Sequence, residues 1–256
     1  MATVILVRHG RTTANASGTL AGRLPGVRLD DVGTEQARRT GERLAVVPLA
    51  GIVSSPLERC KQTAKALLDA RDRLAEPTLR ISSEKGISEC DYGEWQGRPL
   101  RELAKEPLWK VVQSQPSAAA FPGGESMATM QARSVAAVRR HDAAIEAEHG
   151  PHAVWVAVSH GDIIKSVLAD ALGMHLDLFQ RINVDPASVS IIRYTGTRPY
   201  VLASNTHGGD LSWLKPPPAK KTRSRKGTGQ GTGTRATTTA SDDAPVGGGA
   251  GPSVHP

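Results

Sequence analysis

Three short apolar runs end abruptly in polar residues, and they constrain this chain more than anything else in it. Thr3 to Val7 runs into Arg8-His9-Gly10-Arg11-Thr12. Gly51-Ile52-Val53-Ser54, a weaker run, meets Ser55-Pro56-Leu57-Glu58-Arg59. Ala153 to Val158 meets Ser159-His160-Gly161-Asp162. Such runs, bounded by charge and glycine, read as buried strands. The third is apolar at every position, which predicts a central, parallel strand.

Helical patterns follow the strands. Ser55 is a suitable N-cap, Pro56 suits the first helical position and Glu58 completes a capping box. Leu57, Cys60, Ala64, Leu67 and Leu68 then fall on one helical face. Asp162 to Leu172 reads as a helix with Asp162 as its cap, Ile163, Ile164, Val167 and Leu168 inward, and Gly173 at its end. Ser126 caps a long helix to Glu148 after the Pro122-Gly123-Gly124 break, with Met127 and Met130 in the core. Ala187 to Tyr194 and Tyr200 to Ser204 read as strands with Gly196 in the turn between them. Strands alternating with helices predict an α/β fold with a mostly parallel sheet covered on both faces. In such sheets binding residues gather at the carboxyl ends of the strands.

The net charge of +7 divides unevenly along the 256 residues. Residues 215–256 hold seven Lys and Arg against two Asp, eight Gly and six Pro, with Val246 and Val254 as their only large aliphatics. A segment so poor in apolar surface cannot offset its ordering entropy, so it reads as a disordered basic Pro/Gly/Thr-rich tail. The folded domain is then 1–214. Two cysteines are too few for a disulfide framework and predict a reducing cytoplasm. Cys60 reads as an inert core thiol, and Cys90, beside Glu89, as the more exposed one. No apolar run approaches the roughly 18 to 20 residues that span a bilayer.

If the three strands are adjacent, His9, His160, Arg8 and Arg59 converge on one pocket, with Asn15 nearby. Arginine forks match phosphate oxygens, and helix N-termini add oriented N–H groups, so the cluster suits a phosphate dianion.

These segments resemble the histidine phosphatase superfamily, the phosphoglycerate-mutase-like proteins. Val4-Ile5-Leu6-Val7-Arg8-His9-Gly10 is similar to the family's opening signature, and Ser54-Ser55-Pro56-Leu57-Glu58-Arg59-Cys60-Lys61-Gln62-Thr63-Ala64 to its second. Ile87-Ser88-Glu89 with Tyr92-Gly93-Glu94-Trp95-Gln96-Gly97 resembles the segment that supplies its proton donor. Pro122-Gly123-Gly124-Glu125-Ser126 and Ser159-His160-Gly161-Asp162 match two further blocks in order. The resemblance spans roughly residues 3 to 205 and implies a three-layer α/β/α sandwich. It implies His9 as the nucleophile that becomes phosphohistidine, and Glu89 as the acid and then the base, with Glu84 in reserve. It also implies Arg8, Arg59 and His160 on the non-bridging oxygens, with Asn15 and Gly161 in the same phosphate pocket.

The expected activity is hydrolysis of a small phosphorylated metabolite, with no metal and no cofactor. Mutases of the family carry Glu-Arg-His-Tyr-Gly around their acid, whereas this chain has Glu89-Cys90-Asp91-Tyr92-Gly93. The stretch between Trp95 and Gly123 is also short for a mutase lid. Both departures favour the phosphatase over a phosphomutase. Residues 98–125 are expected to cover the leaving group, where Arg98, Arg101, Lys105, Trp109 and Lys110 either meet it or lie on a plain surface helix. A different class of reading is a non-catalytic scaffold whose tail binds polyanions; the tail lacks aromatics to stack bases, so nucleic acid is not the expected partner. The resemblance allows a homodimer.

Overall fold

A computed structural model describes residues 2–72 and 79–215. The expectations of a disordered, solvated or polyanion-binding tail fall on residues outside these. The three apolar runs form β1 (Thr3–Arg8), β2 (Gly51–Ser54) and β4 (Val154–Ser159), joined by β3 (Ile81–Ser83), β5 (Val189–Tyr194) and β6 (Pro199–Thr206). The sheet order is β3-β2-β4-β1-β5-β6. β1, β2, β3 and β4 pair in parallel, while β5 runs antiparallel to both β1 and β6. β4 is buried at all six positions, as a central strand must be.

Alternation along the strands makes two cores. Val4, Leu6, Trp155 and Ala157 face α6 (Met127–His149) and α7 (Gly161–Ala171), meeting Met127, Met130, Ile163 and Ile164. Ile5, Val7, Val156 and Val158 face α2 (Asp31–Leu44) and α3 (Glu58–Asp72), meeting Leu44, Cys60, Ala64 and Leu67. The result is the expected three-layer α/β/α sandwich with a mostly parallel central sheet. Trp155 is wholly buried, and its Nε1 donates to Asp142 Oδ1 at 2.9 Å, so the indole is sealed without leaving an unsatisfied donor. No helix among the described residues is long and apolar enough to cross a membrane.

The described residues also include the short α-helices α1 (Thr13–Ser17), α4 (Leu100–Leu103) and α5 (Pro107–Ser114), along with brief 3-10 turns. The segment 98–125 is therefore not one surface helix but two brief ones and a 3-10 turn at Pro116–Ala118.

Two capping expectations need correction. α3 begins at Glu58, not at Pro56, and the Ser55 hydroxyl is shared: its Oγ lies 2.8 Å from His160 Nε2 and accepts from Leu57 N at 3.4 Å. α7 is capped by His160, and Asp162 lies inside its first turn. The cysteine reading also changes, because Cys90 is as fully buried as Cys60. Gly173 closes α7 as expected, in a left-handed conformation with φ 66°.

Gly10 is required by close approach. A Cβ at Gly10 would run into the carbonyl of Gly33, near the start of α2. The turn after β1 thus packs directly on that helix.

Candidate active site

Strand register assembles the site. Arg8 pairs with Ser159 across β1 and β4, so His9 and His160 each stand one residue beyond a matched pair. His9 N donates to Ser159 O, and Ser55 N to Val158 O, each at 2.9 Å. The two imidazoles lie edge to face, with centroids 5.2 Å apart.

His9 is 3% exposed, and its Nδ1 lies 2.7 Å from its neighbour's carbonyl, Gly10 O. A carbonyl only accepts, so Nδ1 carries the proton and Nε2 keeps its lone pair. Arg59 Nε donates to that Nε2 at 3.2 Å. Burial, then the charges of Arg59 and Arg8, hold the imidazole well below its ordinary range.

Arg59 is 2% exposed and stands between the histidines. One terminal nitrogen donates to Gly22 O at 2.8 Å and to His160 Nδ1 at 3.1 Å; the other, Nη1, is buried without a partner. Arg8 donates to Val184 O at 2.7 Å, and its buried Nε is likewise unpartnered. Two unpartnered guanidinium donors beside the His9 imidazole form a cradle that suits an anion.

His160 sits behind that cradle rather than in its wall. Its Nδ1 accepts from Arg59, so its Nε2 donates to Ser55 Oγ. Burial, Arg59, His9 and Arg8 keep it neutral. Holding a non-bridging oxygen directly would require Nδ1 to exchange Arg59 for the phosphate. Cys60 Sγ lies 3.4 Å from His160 Nε2, and burial pushes its thiol up to about 12.

The cavity measures about 190 Å³, and its wall contains Arg8, His9, Asn15, Arg59, Glu89 and Gly161. All the expected site residues except His160 therefore line it. Asn15 Oδ1 accepts from Thr12 N at 3.1 Å and from Thr12 Oγ1 at 2.9 Å, which leaves the Nδ2 end as its donor. Glu89 Oε1 accepts from Cys90 N at 3.0 Å. Burial, reinforced by the Asp162 carboxylate, pushes the Glu89 carboxyl up to about 7. Glu84, the reserve acid, is elsewhere: it caps Gly86 N and pairs with Arg140 and His141.

Sequence reasoning did not single out Tyr92 or Asp162 as cavity residues, although both line it and the Tyr92 hydroxyl donates to Asp162 Oδ2 at 2.7 Å. The Tyr92-Gly93 step and the residue after His160-Gly161 were the available signals. Of the segment 98–125, only Leu100 reaches the wall, and Arg98 pairs with Glu106 instead.

Residues 4–207 match the histidine phosphatase superfamily (branch 1). The chain belongs to the histidine phosphatase superfamily. Among its relatives is phosphoserine phosphatase 1 of Hydrogenobacter thermophilus, 30% identical over 208 residues that cover 80% of this chain and 92% of that protein. The probable phosphoglycerate mutase GpmB of Yersinia enterocolitica is 31% identical over 196 residues, covering 76% of this chain and 86% of that one. The solved structure of Bacillus stearothermophilus YhfR superposes with a TM-score of 0.71 at 26% identity, over 84% of this chain and all of its own. The histidine phosphatase fold is thus shared along nearly the whole described body.

Proposed function

We propose that the protein is a phosphomonoesterase that hydrolyses a small organic phosphate through a phosphohistidine on His9. The observation that carries this reading is the tautomer of His9: Gly10 O holds the Nδ1 proton, and Nε2 is left with a lone pair that accepts from Arg59 Nε and must exchange that donor for phosphorus. A neutral, positioned imidazole is what attack on phosphorus needs. Nε2 forms the N–P bond as the ester P–O bond breaks, and Glu89, raised to about 7, gives its proton to the leaving oxygen. A water then attacks the phosphohistidine and passes its proton to Glu89. The N–P bond breaks, and orthophosphate leaves.

Arg59 and Arg8 carry the charge of the transferring group, and the start of α7 at Gly161 adds backbone donors. His160 acts through Arg59, whose terminal nitrogen it anchors at 3.1 Å. This role replaces the expected one of holding a non-bridging oxygen: His160 sets the direction of the fork. The fixed positive charge makes a metal unnecessary for this transfer.

Similarity to GpmB favours a mutase as the second reading. Against it, Arg8 and Arg59 are the only Lys or Arg in the cavity wall among the described residues, and both serve the phosphate end. A bisphosphate needs cations at two ends. Rapid-quench turnover with a radiolabelled phosphate ester tests the proposal: label should appear on His9 and vanish in His9→Ala. Incubation with 3-phosphoglycerate and its bisphosphate should give phosphate release without faster isomerisation; the reverse order would install the mutase.

A further inference from the structure

Glu89 is held by a device outside the cavity. Its main-chain carbonyl accepts from Arg23 Nε at 2.8 Å and from an Arg133 terminal nitrogen at 3.1 Å. The other terminal nitrogen of Arg133 donates to Gly86 O at 2.7 Å and Ser88 O at 2.8 Å, so one guanidinium grips three carbonyls in four residues. Both arginines converge on Glu125. Arg133 meets its carboxylate with two donors at 2.6 and 2.9 Å, and Arg23 reaches Oε1 at 2.9 Å. Glu125 Oε1 also accepts from Asp91 N at 2.9 Å, on the far side of Glu89. The backbone is therefore clamped both before and after the acid.

Close packing brings Glu125 there. Cβ atoms at Gly93 and Gly124 would collide with Pro122 O and Asp91 O, so the Pro122-Gly123-Gly124 turn lies flat on the segment after Glu89. Arg133 is one to two turns further along α6 and points back at the same segment. Its side chain is 20% exposed and that of Glu125 14%, a setting in which charge-assisted bonds keep most of their strength.

We infer that Glu125, Arg133 and Arg23 form a positioning clamp that aims the Glu89 carboxyl at the leaving-group oxygen. None of the three lines the cavity. The clamp rests on the proposed role of Glu89. Placing an acid within hydrogen-bond reach of the departing oxygen is worth ~10²–10⁴-fold in rate, and small misplacement forfeits much of it.

The test compares an alkyl phosphate, whose poor leaving group needs protonation, with 2,4-dinitrophenyl phosphate, whose good one does not. The readout is kcat/KM, which extends only through P–O cleavage. In Arg133→Lys the value for the alkyl ester should fall by ~10²-fold and that for the dinitrophenyl ester by less than about 3-fold. Glu125→Gln, which keeps an acceptor for Asp91 N, should show the same selectivity in milder form, and it serves if Arg133→Lys melts early. Glu89→Gln sets the scale. If Glu89→Gln loses both esters equally, the role of Glu89 is wrong. If Glu89→Gln is selective while both clamp variants lose both esters equally, or lose neither, the clamp is overturned and the acid stands.

Discussion

Asp162 Oδ2 accepts the Tyr92 hydroxyl at 2.7 Å, and its charge falls on Glu89, whose carboxyl it helps to raise to about 7. The first chemical step needs Glu89 protonated, so kcat/KM for an alkyl phosphate should decline on the basic side near pH 7. Asp162→Asn removes the charge that raises it, and that limb should move to lower pH. His9 is held neutral well below 6.5, so no enzyme-derived acid limb should appear at that pH once substrate ionisation, near about 6, is divided out. A pH–rate profile of both proteins reads the two limbs.

Glu89 should also cost the fold stability at alkaline pH. Its folded-state pKa stands above the ordinary 4.5, so the contribution is intact below 4.5 and is lost as pH rises to about 7. A shift of that size corresponds to about 3 kcal/mol above pH 7. Glu89→Gln should therefore melt like the parent at pH 4.5 and several degrees higher at pH 8. Thermal melts at the two pH values check it; an equal difference at both would remove the ionic explanation.

Ser55→Ala leaves His160 Nε2–H buried with only the Cys60 sulfur, a weak acceptor at 3.4 Å. Loss of that bond should cost about 1–3 kcal/mol. It also frees His160 to carry its proton on Nδ1, which would turn the Arg59 contact from attraction into a donor–donor clash. The expected kinetic result is a lowered kcat, with partial recovery in Ser55→Thr. Stopped-flow turnover beside urea melts separates the two effects.

Gly10→Ala should be among the most damaging single-methyl additions in the chain. The new Cβ meets backbone at Gly33, which no rotamer can relieve. A loss of about 1–3 kcal/mol or more is expected, as for overpacked cores. The half-buried Gly18→Ala, whose Cβ meets nothing, is the control, carrying only the strain of φ 66°.

Cys60 and Cys90 should both resist iodoacetamide in the native protein and react after denaturation. Each is fully buried, and burial raises both thiols. Mass spectrometry of the two preparations decides it, and rapid native labelling of Cys60 would contradict the packing around His160.

The parts of the fold written in large apolar side chains were legible in the sequence. β2 runs from Gly51 to Ser54 as expected, and β4, α6 and α7 lie within a residue or so of their predicted limits. α2 was not seen: its buried face is Gly33, Ala37, Thr40, Gly41 and Leu44, with a single large aliphatic, and its amphipathic pattern is carried by the charged residues on the opposite face. The Asp30 cap, which accepts from Gly33 N at 2.7 Å, was the cue for it. At the site, His9, Arg8, Arg59 and His160 follow from strand ends. The clamp on Glu89 does not, because Arg23 and Arg133 bind main-chain carbonyls, and a carbonyl has no letter in the sequence. The displacement of His160 from the cavity wall is equally hidden, since it depends on Ser55 and Arg59 each reaching an imidazole nitrogen about a hundred residues away along the chain.

β4 lies between β1 and β2, although about a hundred residues separate it from β2 along the chain and still more from β1. During synthesis the first two strands therefore emerge with an empty lane between them, their inner edges bare to any other extended peptide. Only when the segment ending at Ser159 has left the ribosome can it slot in and join the two halves of the phosphate cradle. A nascent chain halted at Gly150 would possess His9, Arg59 and Glu89 and still have no means of gathering them.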